Sequence, residues 1–146
     1  MTAPSQPSDQ SPQAPVRVDD RGLPPEYQLK AGWEVSPRQT QKELAGPAEV
    51  TGHLPLLLDC RRPDEWEFTR IDGAVHFPMD LIPTRIDDVL EAAGGHDRPI
   101  IVYCHHGMRS LRVTSTLRGY GFTNVRSMAG GIEQWSLAIN PNVPRY

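Results

Sequence analysis

A chain of 146 residues is long enough for one domain with a proper core and too short for two ordinary ones. Its net charge of −3 and pI near 5.9 argue against binding nucleic acid or acidic membranes through bulk electrostatics. No apolar run reaches transmembrane length and the N-terminus lacks the basic start and apolar stretch of a secretory signal; two cysteines make no disulfide framework, so the expected compartment is the cytoplasm.

Residues 1–30 are rich in Pro, Ser, Gln and Asp and poor in large apolar residues, which predicts a flexible or extended arm. From residue 31 to about 139 short apolar runs alternate with helical stretches. Trp33-Glu34-Val35 reads as a short strand, and Ser36-Pro37 as an N-cap with proline in the first turn of a helix running to about Ala45. The run from Leu56 to Cys60 reads as a buried strand. Ala74 to Phe77 is a third, ended by Pro78, and Ile82 to Leu90 has helical spacing. Ile100 to Tyr103 is the most apolar strand, and Asn124 to Ser127 the fifth. Strands that are apolar along their length and separated by helices imply an α/β fold, a parallel sheet covered on both faces. Residues 140–146 read as an extended tail lying on the domain or against a second subunit.

In open α/β sheets ligands bind beyond the carboxyl ends of the strands, and Cys104 sits at such an end. The segment after it reads as a helix with Val113, Leu117 and Tyr120 on one face, Ser110 as N-cap and Gly121 as a left-handed terminator. The loop Cys104-His105-His106-Gly107-Met108-Arg109 therefore lies between a strand end and a helix N-terminus. Unpaired helix amides, further amides turned inward at Gly107, and the cation of Arg109 should each favour the thiolate, which is the nucleophile. The same donors would hold the anionic group the sulfur attacks.

The stretch CHHGMRS resembles the active-site loop of the rhodanese (thiosulfate sulfurtransferase) superfamily in its single-domain form. LLLDCRRPDEWE resembles that family's strand followed by Asp, Arg and a Pro-x-Glu turn. RIDGAVHFPM resembles its third-strand segment, with Arg70 where many members carry histidine. GFTNVRSMAGGIEQW resembles its last strand, double-glycine turn and Trp-bearing helix. The resemblance covers about Trp33 to Leu137 and implies a five-stranded parallel sheet with helices on both faces. It implies a sulfane sulfur moved from thiosulfate or glutathione persulfide to a thiophilic acceptor through a Cys104 persulfide, with ping-pong kinetics and no metal or organic cofactor. A protein sulfur donor or acceptor is also possible within it.

A cysteine phosphatase or arsenate reductase is the main rival, but those loops run C-x5-R, and here Arg109 comes after only four residues, with Ser110 in the next position. The tighter cup suits one bound sulfur. A catalytically silent rhodanese-like binding module is the other alternative, although such modules usually lack the cysteine. His105 and His106 either tune the thiolate and contact the donor or serve only through backbone N–H groups; consecutive residues are poorly spaced for zinc. Met108 lines the mouth or fills space. Arg109 either binds the donor or ties the loop to the fold by pairing with Asp59. Arg61 and Arg62 either add positive potential at the mouth or pair with Asp64, Glu65 or Glu67. Trp66 and Trp135 read as packing residues. Cys60 reads as core, with one open idea: close to Cys104 it could resolve a persulfide or form a regulatory disulfide.

Overall fold

Five parallel strands form one sheet in the computed structural model, which describes residues 17–46 and 54–146, in the order β1-β5-β4-β2-β3. The strands are β1 (Glu34–Val35), β2 (Leu56–Asp59), β3 (Val75–His76), β4 (Ile100–Tyr103) and β5 (Val125–Met128). The helices are α1 (Pro37–Ala45), α2 (Pro63–Phe68), α3 (Ile86–Ala93), α4 (Met108–Gly119) and α5 (Gly131–Ala138). β4 runs through the middle, and all four of its residues are buried, as are those of β2. Pleating sends alternate side chains to opposite faces. Leu56, Leu58, Ile100 and Val102 meet Val89 of α3 and Val113 and Leu117 of α4; Leu57, Ile101 and Tyr103 meet Ile132 and Trp135 of α5. Two apolar cores on one sheet explain why β2 and β4 read as unbroken apolar runs rather than alternating ones.

Three local expectations give way to the structure. The helix expected from Ile82 begins at Ile86: Met79–Leu81 forms a 3-10 turn, and Arg85, at φ −112° and ψ 24°, is not helical. The segment read as a turn at Pro63 is the short helix α2, opened by proline in its first turn. Of the arm expected over residues 1–30, the described part, residues 17–30, is tied to the domain. Leu23 is fully buried, the Arg21 guanidinium donates to Asp19 and to the Tyr27 carbonyl, and Tyr27 donates to Glu34 at 2.6 Å. Residues 1–16 lie outside the described residues. At the other end the tail packs on its own domain, with Val143 in the second core and the Tyr146 hydroxyl donating to Glu65 at 2.6 Å.

Candidate active site

Asp59 of β2 pairs in register with Tyr103 of β4, so Cys60 and Cys104 are the next residues beyond two neighbouring strand ends. Cys104 is buried, at 1% exposure, and its sulfur accepts hydrogen bonds from the amides of Gly107 at 3.1 Å and Ser110 at 3.3 Å. The Ser110 hydroxyl lies 3.4 Å from the sulfur and 2.7 Å from that of Ser127 on β5. Helix α4 starts earlier than its sequence suggests, at Met108, with Gly107 rather than Ser110 as its N-cap. Ser110 stands in the first turn, where backbone amides have no partner within the helix, and gives its N–H to the sulfur. Gly107 bends the loop with φ +110°, a conformation that favours glycine.

These donors hold the Cys104 pKa down to about 5. The largest cause is a hydrogen bond from the Cys60 thiol; burial opposes it, and the hydroxyl and amide of Ser110 and the amide of Gly107 add to it. Cys60, buried, is pushed correspondingly well above the ordinary thiol range, first by its neighbour Cys104 and then by burial. Cys60 thus favours the Cys104 thiolate, an influence its place in an apolar run conceals. With the depressed value, roughly a hundred Cys104 thiolates exist per thiol at pH 7. Thiolate absorbance in the ultraviolet, followed against pH, is expected to show one transition near pH 5; in Cys60→Ala, which removes the largest lowering influence, it moves to higher pH.

The second glycine of the Gly130-Gly131 turn holds the loop from behind. At the start of α5, the amide of Ile132 donates to the Cys104 carbonyl at 2.9 Å and that of Glu133 to the His105 carbonyl at 3.1 Å. A Cβ on Gly131 would stand 2.3 Å from the His105 oxygen and 2.5 Å from the Cys104 oxygen, and the residue has φ +61°. Gly131→Ala is expected to cost roughly 2–4 kcal/mol in urea unfolding, because both the backbone and the loop must give way.

The expected ion pairs exchange partners. Arg109 does tie the loop to the fold, but through Glu65 on α2 and not through Asp59: its two guanidinium nitrogens donate to the two carboxylate oxygens at 2.6 and 3.0 Å. Burial pushes the Glu65 pKa up, yet Arg109 and the Tyr146 hydroxyl hold it down to about 2. Arg109 is therefore no free cation waiting for an anion. Asp59 belongs to Arg61, in a pair with both side chains at 0% exposure. Arg61 also donates to the Thr69 carbonyl and the Tyr146 hydroxyl, so it adds no exposed charge at the mouth, whereas Arg62 pairs with Asp64 and Glu65 as expected. The His105 ring is stacked between those of His106 and Tyr146, each with centroids 3.9 Å away. Burial and the neighbouring His106 lower the His105 pKa, favouring a neutral ring. Neither histidine ring bonds the sulfur among the described contacts. Met108 is 74% exposed at the rim rather than filling space. Trp135 packs in the second core, and Trp66 stacks on His76 under Arg70.

A cavity of about 250 Å³ opens beside Cys60, walled also by Arg109, Pro63, Met79 and Leu81. A larger one of about 480 Å³ lies at the face covered by α1 and α5, and its walls carry no cysteine or histidine.

Residues 37–138 match the family model of the Rhodanese-like domain. The chain belongs to that family. A sulfurtransferase of Allochromatium vinosum is 31% identical over 103 residues, covering 70% of this chain and 87% of its own. The probable adenylyltransferase/sulfurtransferase MoeZ of Mycobacterium tuberculosis is 30% identical over 119 residues, covering 82% of this chain but 28% of its own. The rhodanese-like domain here spans only 22% to 30% of the length of MoeZ and of UBA4, the adenylyltransferase and sulfurtransferase of Meyerozyma guilliermondii, and their like. Among solved structures, a rhodanese-like domain protein of Staphylococcus aureus superposes with a TM-score of 0.61 at 20% identity, covering 78% of this chain and 98% of that one. That agreement is one of fold.

Proposed function

We propose that this rhodanese-like domain is a sulfurtransferase that carries sulfane sulfur as a Cys104 persulfide, with thiosulfate or glutathione persulfide as donor. The observation that carries the reading is the buried Cys104 sulfur, hydrogen-bonded by the amides of Gly107 and Ser110, donors that favour its thiolate. Relatives named sulfurtransferases support sulfur transfer as the general chemistry. The thiolate attacks the outer, sulfane sulfur of thiosulfate. The S–S bond breaks, sulfite leaves with its electron pair, and the new terminal sulfur stays on Cys104. A thiol acceptor, whether a small molecule or a cysteine on a partner protein, then attacks that terminal sulfur and frees Cys104. Covalent two-step transfer of this kind gives ping-pong kinetics. Arg109 and Glu65 keep α4, and with it the donor amides, in place. We place the reaction in the cytoplasm.

Intact-protein mass spectrometry after mixing with thiosulfate tests the reading. The expected result is gain of one sulfur atom in wild type and none in Cys104→Ser, with sulfite released in step. No gain with thiosulfate, glutathione persulfide or a desulfurase donor would leave the cradle idle toward sulfur and move the silent binding module ahead.

A further inference from the structure

Cys60 lies one residue past the Asp59–Tyr103 pair, and its amide donates to the Tyr103 carbonyl at 3.1 Å, so the strand-like pairing continues to the two cysteines. Adjacent strands are about 4.8 Å apart, and a disulfide needs Cα atoms about 4.4–6.8 Å apart. The pleat sends both thiols to the same face: Leu58 with Cys60 on one strand and Val102 with Cys104 on the next all lie in one core. Each thiol also acts on the other's ionisation, Cys60 lowering the Cys104 pKa and Cys104 raising that of Cys60. Cys60 is not walled off either, since it lines the 250 Å³ cavity together with Arg109.

We infer that Cys60 discharges the Cys104 persulfide internally, releasing its outer sulfur as sulfide and leaving a Cys60–Cys104 disulfide. The inference rests on the persulfide reading above. It adds a second outcome for the bound sulfur, reductive release rather than transfer.

The step balances without an external oxidant. Cys60 gives up its proton and its sulfur bonds to Cys104 Sγ; the bond from Sγ to the terminal sulfur breaks, and that sulfur leaves with the bonding pair and the proton as hydrosulfide. The sulfane sulfur is reduced by two electrons, and the two thiols are oxidised to the disulfide. A thiol or dithiol reductant then reopens the bridge by exchange. The same contact explains why transfer can compete. While the charge sits on Cys104, Cys60 is held as a thiol and is a poor nucleophile. Once sulfur is loaded the charge moves outward to the terminal sulfur, and the obstacle to ionising Cys60 falls. An acceptor that arrives promptly takes the sulfur; otherwise Cys60 expels it.

The experiment uses the full chain, reduced and freed of small thiols, mixed with thiosulfate at mildly alkaline pH, where Cys104 ionises even without Cys60. Mass and free sulfide are followed together. In wild type the added sulfur is expected to disappear as about one sulfide per chain is released, leaving a protein lighter than the starting one by a hydrogen pair. In Cys60→Ser and Cys60→Ala the added sulfur stays, and sulfide release falls at least about tenfold. Peptide mapping after diamide treatment of the unloaded protein should show the Cys60–Cys104 bridge. Equal persistence of the added sulfur in wild type and both variants, or no bridge with diamide, overturns the inference while leaving the persulfide reading intact. Failure of wild type and variants alike to gain sulfur or release sulfite overturns the persulfide reading, and the inference with it.

Discussion

Cys104→Ser is expected to lower thiosulfate-dependent turnover by about 10³-fold or more while leaving the unfolding free energy within about 1 kcal/mol of wild type. The size of the loss follows from what the cradle does. The amides of Gly107 and Ser110 act on whatever anion stands at that position, but a serine hydroxyl, with a far higher pKa than a thiol, stays neutral there at any working pH. An oxygen attached to sulfane sulfur would also be a poor sulfur carrier, because the S–S bond that can be broken again by a thiolate is absent. The small stability change follows from near-identical volume at a site with polar partners on three sides. Steady-state sulfite release and thiocyanate formation with cyanide as acceptor measure the first number, and urea unfolding the second. Turnover equal to wild type would remove Cys104 from the chemistry altogether.

The order of the elements and the place of Cys104 at a strand end before a helix were legible in the sequence because both are written in local pattern. Ile100 to Tyr103 is a buried apolar run that stops on a cysteine, and glycine with a helix-like pattern follows. Side-chain partnerships were not legible in the same way. Glu65 is 44 residues from Arg109 and Tyr146 is 85 from Arg61, and only the packing of α2 and the tail on the same end of the sheet brings them together. Asp59 and Arg61 are two apart on a strand end, a spacing at which the fork can close locally, yet that choice could be made only by knowing that α2 offers Glu65 to Arg109 instead. Cys60 is the most instructive case. Its apolar run gave it the reading of a core residue, and it is buried in the core; its partner is determined by strand order, since β2 lies beside β4 although α2, β3 and α3 separate them in the chain. A sequence marks a residue's own environment better than its neighbour's identity. Gly131 shows the intermediate situation: the double glycine is visible, but that the second one must be bare because two carbonyl oxygens of the Cys104 loop occupy its Cβ position is a fact of tertiary approach.

Arg61→Met is expected to cost about 3–5 kcal/mol, the range for removing one member of a buried ion pair. Asp59 and Arg61 are both fully enclosed, and the guanidinium meets the carboxylate at 2.6 Å while donating onward to the Thr69 carbonyl and the Tyr146 hydroxyl. Methionine fills most of the volume but donates nothing. It leaves a carboxylate with only the Arg61 amide, at 2.9 Å, as a remaining donor among its described partners, and it strands the Thr69 oxygen. For a domain whose whole stability is about 5–15 kcal/mol, that is a third or more of the total. The pair is not itself a large source of stability, however, because both charges had to leave water to form it. Replacing both members, as Asp59→Leu with Arg61→Met, is therefore expected to restore more than half of the loss, though not all, since Thr69 and Tyr146 stay without their donor. Urea unfolding of the two single variants and the double variant gives the coupling directly, and a double variant as unstable as the sum of the singles would mean that the pair is not a unit. Thiolate formation provides a separate readout. Cys60 follows Asp59 directly, so a strand end that shifts when Arg61 is lost should move the Cys60 thiol off Cys104 and raise the pH at which the thiolate forms, even in the fraction of molecules that remains folded.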